Sequence, residues 1–434
     1  MSGGGLVVLL AGHEVGRLEQ DRRGRLAFSY DPRWRLLEDA MPLSLSLPLA
    51  ASEHPHARVE AWLWGLLPDN HLILERWGRR FQVSARNPFG LLSRVGEDCA
   101  GAVQLVRSER LAAVRAPRRP EIAWLTPREV GRRLAGLRTD GSAWRTPEDA
   151  GQFSLTGAQP KTALFFDGRR WGVPAGRTPT THILKPAHGE LAGHVENEHL
   201  CLVLARELGL PAAASQVRRF DGEPAIVLER YDRVRNPGRS PATLAGSVTR
   251  LHQEDLCQAL GLPPSAKYQN EGGPGAAEVV RLLREHSSSP SEDLDTFVDA
   301  LGFNWLIAGT DAHAKNYSVL HAAGGRVRLA PLYDVASALP YGFDSHRLRL
   351  AMKVGGQYRL RSVGARQWRS LATELRLDPD RLVSRLAGMA ARLPDAAAGV
   401  ARGAIRAGLE RRLVGRLAGL LAARAAECTR TLTA

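Results

Sequence analysis

Residues 308–337 read AGTDAHAKNYSVLHAAGGRVRLAPLYDVAS, in which polar side chains stand among apolar ones. Five of these side chains carry chemistry: Asp311, His313, Lys315, Asn316 and Asp334. A charge in apolar surroundings costs free energy unless it is paired or meets a ligand. The stretch is therefore the first candidate for a functional site.

The spacing of Asp311 and Asn316 is the D-x-x-x-x-N of a kinase catalytic loop. That spacing puts a carboxylate beside an acceptor hydroxyl and an amide oxygen on Mg²⁺. The segments YSVLH and RVRLAPL flank Gly324–Gly325, which predicts an antiparallel hairpin. A hairpin returns its far end to its start, so Asp334 is expected near Asp311 and Asn316. Asn316 and Asp334 are then two oxygen ligands of the kind that Mg²⁺ prefers.

Two other interpretations of this stretch stay open from the residues alone. Asp311 could cap a turn, with Asn316 as a turn residue and Asp334 at a strand end. Alternatively, Asp311 and His313 could ligate a transition metal for hydrolysis. The three spacings taken together favour a magnesium-dependent kinase.

Upstream, the segment GQFSLTGAQPKTALFF predicts a strand, a turn of small residues at 156–158 and a second strand. The backbone N–H groups of such a turn can face an anion, and Lys161 adds positive charge there. Pro160 removes one donor from the loop. The segment has one glycine in the loop, so an ordinary hairpin turn is the alternative.

Two further strand ends fit an ATP site. In THILKP, Lys185 ends an apolar strand like the lysine of V-A-I-K in kinases, and Glu198 of the next predicted helix is its expected partner. In EPAIVLERYDR, the segment 229–231 follows an apolar strand, where a kinase binds adenine through its backbone. A lysine reaching to solvent and an exposed strand end are the structural alternatives.

The composition is that of a globular protein with an unusual charge balance. The 434 residues carry a net charge of +14, which suggests a polyanionic partner. Only five of the 59 basic residues are lysines, so a general preference for arginine explains the charge equally well. The four cysteines form no CxxC pair, and no apolar run is long enough to span a membrane. We expect a soluble cytoplasmic protein.

The pattern along the chain predicts an α+β protein with a bilobal, protein-kinase-like fold. Residues 1–115 are expected to form an extra N-terminal α/β subdomain, in which PLSLSLPL alternates with period two. Residues 116–235 are expected to form a β-rich ATP-binding lobe, beginning at the boundary-like stretch APRRPEIAWLTPREV. Residues 236–434 are expected to form a mostly helical catalytic lobe with a cleft at its border. HQEDLCQALGL is expected to be its first helix.

With these motifs assembled, the sequence resembles the HipA family of bacterial serine/threonine kinase toxins. The stretches that carry the resemblance are PLSLSLPL, GLLPDN, FSLTGAQPKTAL, TPTTHILKP, ENEHLCLVLARELGL, ERYDR, LHQEDLCQALGLP, KYQNEGGPG, NWLIAGTDAHAKNYSV and PLYDVASA. They run through almost the full length of the chain.

The resemblance implies roles for individual residues. It implies that Asp311 is the catalytic base, that Lys315 acts near the transferred phosphate, and that Asn316 and Asp334 bind Mg²⁺. It also implies that Ser154 is autophosphorylated. The residues implied to bind ATP are Thr156, Gly157, Ala158, Gln159, Pro160, Lys161, Lys185, Glu229, Arg230, Tyr231, Gln253, His313, Ala314, Asn316, Tyr333 and Asp334.

The resemblance also implies partners. These are a HipB-like helix-turn-helix antitoxin, operator DNA bound through the antitoxin complex, and a protein substrate such as an aminoacyl-tRNA synthetase, with glutamyl-tRNA synthetase first. Candidate DNA contacts are Arg366, Arg369 and Arg376, although a solvated helix face explains these as well. Two other functions stay open: a small-molecule or lipid kinase, and a DNA-associated co-repressor with weak catalysis.

Overall fold

The computed structural model describes residues 5–115, 121–141, 154–175, 178–187, 191–235, 248–344 and 346–433. The strands are Gly5–Leu10 (β1), His13–Gln20 (β2), Leu26–Tyr30 (β3), Glu53–His54 (β4), Val103–Arg107 (β5), Glu121–Leu125 (β6), Thr162–Phe166 (β7), Trp171–Ala175 (β8), His182–Pro186 (β9), Ser215–Phe220 (β10), Glu223–Glu229 (β11), Arg233–Arg235 (β12), Val248–Arg250 (β13), His252–Asp255 (β14), Ser318–Ala322 (β15), Arg326–Leu329 (β16), Arg349–Val354 (β17) and Gln357–Arg359 (β18).

The helices are Pro32–Arg35 (α1), His56–Gly65 (α2), His71–Phe81 (α3), Pro88–Val95 (α4), Leu111–Arg115 (α5), Pro127–Thr139 (α6), His194–Glu207 (α7), Leu256–Ala259 (α8), Ala276–His286 (α9), Pro290–Leu306 (α10), Ala365–Glu374 (α11), Pro379–Arg406 (α12) and Arg411–Thr433 (α13). Most strands precede residue 260 and the long helices follow residue 275, which confirms the predicted α+β class. No helix in the described part of the chain is long and apolar enough to cross a membrane.

The chain folds into two compact units. Unit 1 comprises residues 1–186, 219–264 and 319–327, and unit 2 comprises 187–218, 265–318 and 328–434. This division differs from the three consecutive ranges expected from the sequence, because strands distant in sequence join the same sheets. As boundaries of independently folding domains, those three ranges stay a prediction.

The first sheet of unit 1 has the strand order β4-β3-β2-β1-β5. Helices α2, α3 and α4 contribute Trp62, Trp77 and Phe89 to the core that also buries Phe28 of the sheet. Helix α2 ends at residue 65, and the Asn70 side chain caps α3 by accepting from the Leu72 N–H at 2.9 Å. Burial of apolar surface on one face of this sheet stabilises the N-terminal part.

The second sheet of unit 1 has the order β10-β11-β9-β7-β8-β6 and contains the strands predicted over KTALFF, THILKP and EPAIVLERYDR. Helix α6 packs Val130 and Leu134 against Leu164 and Leu184 of this sheet. The expected boundary stretch falls partly on residues 116–120, which lie outside the described residues. Within residues 121–130 the stretch forms β6 and the first turn of α6, and its role as a boundary stays a prediction.

The segment PLSLSLPL does not form the strand that its alternation suggests; a single bridge joins Ser44 to Leu47. The hydroxyls of Ser44 and Ser46 instead donate to the Gln258 carbonyl at 3.2 and 2.8 Å. Ser44 also donates to the Glu254 carboxylate at 2.5 Å. The alternation therefore reflects serines facing a buried polar cluster.

The expected helix over HQEDLCQALGL is wrong in its first half. His252–Asp255 is strand β14, which lies in a three-stranded sheet of order β14-β15-β16, and only Leu256–Ala259 is helical. The Asp255 side chain accepts from the Gln258 N–H at 2.9 Å and caps that short helix. Pairing with the distant strand β15 decides the local conformation here.

Unit 2 contains the long helices. Helix α10 buries Phe297, Leu301 and Trp305, and it leads directly into the stretch that begins at residue 308. Helix α7 ends where the sequence predicts, with Gly209 in the left-handed region at φ +92°. Glu198, in the first half of this helix, is buried.

Candidate active site

The predicted phosphate loop lies in unit 1 and is anchored at Ser154, which is fully buried. Its hydroxyl donates to the Leu66 carbonyl at 2.6 Å, and its N–H donates to the Asp98 carbonyl at 3.0 Å. Residues 154 and 155 do not form the strand expected before the turn. In this conformation the Ser154 hydroxyl is inaccessible to a phosphoryl donor.

The turn of the loop depends on Gly157, whose φ is +93°. It forms a bridge with Pro68, and its carbonyl accepts from the Asp69 N–H at 3.2 Å. The Lys161 ammonium donates to the Thr156 carbonyl at 2.6 Å, within the loop itself. Lys161 thus braces the turn in this conformation, and the GLLPDN segment supports the turn from outside.

The rest of the loop has a mixed exposure. Ala158 is exposed, Pro160 is buried, and Gln159 is half-buried. The Gln159 Nε2 atom is buried and has no hydrogen-bond partner among the described residues. A buried donor without a partner is costly, which is consistent with a ligand acceptor at this position.

Lys185 lies in β9, opposite Ile226 of the neighbouring strand β11. Its side chain is buried although the residue stands near a strand end. The predicted ion pair with Glu198 joins residues of different units and stays a prediction.

The segment 229–231 follows β11 as expected. The Tyr231 hydroxyl hydrogen-bonds to the Gln253 side chain, so two residues predicted to contact the nucleotide are brought together. The Arg230 N–H donates to the Thr181 carbonyl at 3.0 Å, and Glu229 is exposed. Binding of adenine at this segment stays a prediction.

The Arg230 guanidinium belongs to a buried charge cluster that sequence inspection missed. Arg230 bonds to Asp232 at 2.8 Å, while Asp98 accepts from Arg233 at 3.0 Å and from Arg250 at 3.1 Å. Burial opposes the charge of Asp98, but Arg233, Arg250 and Arg230 hold its pKa well below the usual range. The cluster fixes the segment beside the predicted adenine contact. The one signal in the sequence was charge inside the apolar-flanked motifs GEDCAG and ERYDR.

In unit 2, the predicted catalytic loop is held closed by its own polar groups. The Asn316 Nδ2 atom donates to the Asp311 carbonyl at 2.6 Å, and the His313 N–H donates to the same carbonyl at 2.8 Å. Gly309 precedes the loop, where a Cβ would lie 2.3 Å from Asn304 Oδ1. The Asp311 side chain is exposed, whereas His313, Ala314, Lys315 and Asn316 are buried.

His313 is buried in this loop. Burial lowers its pKa below the usual range, and the opposing effect of Asp311 does not restore it. Its Nδ1 atom is buried and has no hydrogen-bond partner among the described residues. Like Gln159 in unit 1, His313 therefore presents a polar atom that a ligand could satisfy.

The hairpin after the loop confirms the sequence prediction. Strands β15 and β16 flank Gly324 and Gly325, whose φ values of +72° and +69° suit a tight turn. The far end returns to the start: the Tyr333 hydroxyl donates to the Lys315 carbonyl at 2.7 Å. Asp334 follows with φ +57°, and it acts electrostatically on His313. Asp334 is thus held near the loop.

The oxygen groups at this loop fit a magnesium ion. The Asn316 amide nitrogen bonds to the Asp311 carbonyl, and this bond does not engage the amide oxygen, which is the atom that Mg²⁺ would take. Among the described residues no three His, Cys, Asp or Glu side chains converge as a metal cluster. An all-protein cage is not needed, since Mg²⁺ takes one or two protein oxygens together with substrate phosphates and water. This donor set does not match the zinc-type alternative.

The residues considered for DNA contact lie on and after α11. Arg366 and Arg376 are exposed, and Arg369 pairs with Asp380 at 3.1 Å. Contact with DNA at these positions stays a prediction.

Known proteins resemble this chain along most of its length. The model of the HipA N-terminal domain matches residues 6–106, and that of the HipA-like C-terminal domain matches 153–397. A protein of Sinorhizobium fredii named as a kinase, Y4mE, is 37% identical over 369 residues, covering 84% of each chain. The serine/threonine-protein kinase toxin HipA of Shewanella oneidensis is 30% identical over 405 residues, covering 89% of this chain and 87% of that one.

A solved structure adds to these matches. The complex of Shewanella oneidensis HipA with HipB and its operator DNA contains a chain that superposes with a TM-score of 0.82 and 26% identity. The match covers 99% of this chain and 98% of that chain. The fold and the site together define a serine/threonine-protein kinase. The chain belongs to the HipA family, as its motifs indicated.

Proposed function

We propose that this HipA-family kinase is the toxin of a toxin–antitoxin pair. It transfers the γ-phosphoryl group of Mg-ATP to a serine or threonine of a protein needed for translation. An aminoacyl-tRNA synthetase is the substrate class, and glutamyl-tRNA synthetase is the first candidate. The observation that carries the chemical part is the loop in which the Asn316 Nδ2 atom donates to the Asp311 carbonyl at 2.6 Å, a bond that does not engage the Asn316 amide oxygen.

In the proposed reaction, Asp311 accepts the proton of the acceptor hydroxyl. The hydroxyl oxygen bonds to the γ-phosphorus as the bond from phosphorus to the bridging oxygen breaks, and ADP leaves. Lys315 stabilises the charge of the transferred group. When bound, Mg²⁺ would neutralise phosphate charge, and Asn316 and Asp334 would hold it. His313, Ala314 and Tyr333 line this part of the site.

The nucleotide is proposed to be held chiefly by residues of unit 1. The turn 156–161 and Lys185 take the phosphates, and the segment 229–231 with Gln253 takes the adenine. The Gln159 Nε2 atom has no hydrogen-bond partner among the described residues, which supports a ligand at the turn in unit 1. The Arg230 guanidinium is engaged with Asp232 and the Cys99 carbonyl, so its proposed contribution to nucleotide binding is through its backbone.

We also propose that Ser154 is the self-inhibitory modification site. Because its hydroxyl is buried and bonded to the Leu66 carbonyl, the loop must leave its place before Ser154 can be phosphorylated. A phosphoserine would add about −1.5 to −2 charge where ATP phosphates are to bind. The modified loop would then neither return nor bind ATP.

A second role is favoured by the related structure, in which HipA is assembled with HipB and operator DNA. We propose that this chain likewise binds a HipB-like helix-turn-helix antitoxin and joins it on operator DNA. The net charge of +14 suits such an assembly. Loss of catalysis through Asp311→Ala is expected to leave operator binding with the antitoxin intact.

The test of the enzymatic proposal is incubation of the purified chain with γ-labelled ATP, Mg²⁺ and glutamyl-tRNA synthetase, followed by phosphosite mapping. We expect label on the synthetase and on Ser154, and no label with Asp311→Ala. Label on Ser154 alone would retain the kinase and reject the synthetase as its target. Absence of label, with ATP bound and Ser154 unmodified beforehand, would favour a small-molecule kinase or a co-repressor.

A further inference from the structure

Tyr268 makes a contact with Asp311 that the proposed mechanism does not yet use. Its hydroxyl donates a hydrogen bond to the Asp311 Oδ1 atom at 2.5 Å. We propose that Tyr268 is a positioning residue, which fixes the Asp311 carboxylate in the orientation that accepts the proton of the substrate hydroxyl. This inference rests on the proposed role of Asp311 as the base.

The turn that carries Tyr268 is built to hold it in one place. The Tyr268 carbonyl accepts from the Glu271 N–H at 3.0 Å and from the Gly273 N–H at 2.9 Å. A Cβ at Gly273 would lie 2.3 Å from the Ala266 carbonyl oxygen, and Gly272 has φ +90°. Only glycines fit both positions without strain. The motif KYQNEGGPG is thus explained as a tight turn around the Tyr268 carbonyl.

The same turn is attached to the catalytic loop by its backbone and by ring contacts. The Ala314 N–H donates to the Lys267 carbonyl at 3.2 Å. The ring of His313 meets the Tyr268 ring edge to face, with centroids 4.8 Å apart. The Lys267 ammonium lies 5.4 Å from the centroid of the Tyr268 ring. Tyr268 is therefore fixed relative to the loop, so its hydroxyl can fix the carboxylate in turn.

Asp311 needs such a contact because its side chain is exposed. The hydrogen bonds from Asn316 and from the His313 N–H reach the Asp311 carbonyl and hold the backbone only. An exposed carboxylate held only through its backbone samples several rotamers, and proton transfer requires one of them. A hydroxyl on Oδ1 selects one rotamer and leaves the second carboxylate oxygen for the acceptor.

The test is Tyr268→Phe, which removes only the hydroxyl, with Tyr358→Phe as the control for loss of an unrelated tyrosine hydroxyl. We expect kcat to fall about tenfold to hundredfold, the effect of one hydrogen bond to a charged group. The KM values for ATP and for the protein substrate should stay unchanged. Tyr358→Phe should match the wild type.

A double-mutant cycle separates positioning from general damage. In the Asp311→Asn background, Tyr268→Phe should cost nothing further, because it acts through the carboxylate. An equal loss of kcat in the wild-type and Asp311→Asn backgrounds would show that Tyr268 does not act through the carboxylate and has only a structural role. A wild-type or raised rate for Tyr268→Phe, or phosphate mapped on Tyr268 itself, would overturn positioning. Full activity of Asp311→Asn would instead overturn the proposed base, and the inference with it.

Discussion

At the scale of the residue, Asp98 holds three arginines of unit 1 in a buried site. It accepts from Arg233 at 3.0 Å and from Arg250 at 3.1 Å, and it lies 3.7 Å from Arg230. A buried charge is tolerated when it is paired in this way, and removal of one partner leaves the others uncompensated. Asp98 should therefore contribute strongly to stability.

We predict that Asp98→Asn lowers the free energy of unfolding at pH 7 by about 3–5 kcal/mol. Because the folded-state pKa of Asp98 is depressed, its contribution is present above the unfolded-state pKa of about 3.9 and is lost as the pH falls below it. The difference in the free energy of unfolding between Asp98→Asn and the wild type should therefore become smaller below about pH 4. Urea unfolding of the wild type and Asp98→Asn, at pH 7 and again below about pH 4, measures this difference in the free energy of unfolding. The exposed Asp39→Asn is the control. The absence of this difference at pH 7 would contradict the role.

Ser154 gives a prediction about the nucleotide. Ser154→Asp places a charge where the hydroxyl now bonds to the Leu66 carbonyl, so the loop should be expelled from its place. We expect ATP affinity to fall at least tenfold, while Ser154→Ala keeps its affinity within about threefold, differences on the order of 1.4 and 0.6 kcal/mol. Calorimetric titration with a non-hydrolysable ATP analogue measures both. Full affinity in Ser154→Asp would contradict the self-inhibitory role.

Some contacts of single residues could be predicted from the sequence, and others could not. The contact between Asp311 and Asn316 was predictable because the two residues are only five positions apart. The burial of the Arg230 side chain was not predictable, since besides the nearby Asp232 it bonds to the Cys99 carbonyl and lies 3.7 Å from Asp98, and both of these are distant along the chain. The contact of Tyr268 with Asp311, 43 residues apart, was hidden for the same reason.

At the scale of the element, the turn at Gly157 is the part of the phosphate loop that admits a sharp test. Gly157 and Gly168 both have left-handed φ values, +93° and +105°. A Cβ at Gly157 would lie 2.7 Å from the Lys161 ammonium, whereas one at Gly168 would meet open space. The two glycines form a matched pair, one within the loop and one in an unrelated turn.

We predict that Gly157→Ala raises the KM for ATP about tenfold, and that Gly168→Ala leaves it unchanged. An alanine in the left-handed region costs about 1–2 kcal/mol, enough to shift the loop from its bound form. Steady-state kinetics with varied ATP measures both variants, and thermal melts check that both remain folded. Equal KM values for the two variants would exclude a special role for the loop.

Turns and helix ends were predictable where residues close together in the sequence determine them. The Gly324–Gly325 hairpin and the end of α7 at Gly209 follow from residues within a few positions. The predictions for PLSLSLPL and HQED were wrong because residues distant in sequence determine their conformations: Ser44 faces Glu254, and β14 pairs with β15. Hydrophobic period alone cannot distinguish a strand from a loop whose serines face a buried carboxylate.

At the scale of the whole molecule, the count of 59 basic residues overstates the number of positive charges available to a partner. Arg230 and Arg233 are buried, and Arg385 is engaged with Asp295 and Asp299. Part of the arginine content therefore stabilises the fold. The proposed binding of operator DNA depends on the arginines that stay exposed, which composition alone could not identify.

The family was predictable from the sequence because its motifs extend through nearly the whole chain, and the family models match both parts. The division into two units was not predictable, since segments 219–264 and 319–327 join unit 1 through sheets formed at long range. Target and antitoxin depend on surfaces of other molecules, so they remain proposals.

The most direct measurement is single-turnover transfer of labelled γ-phosphate by the wild type, Asp311→Asn and Asp221→Asn. Asp221 is an exposed turn residue outside the site, and asparagine tolerates its left-handed backbone. We predict a loss of about 10²–10⁴-fold in rate for Asp311→Asn, the usual contribution of a general base. ATP binding should be retained, and Asp221→Asn should match the wild type. A wild-type rate for Asp311→Asn would contradict the proposed mechanism.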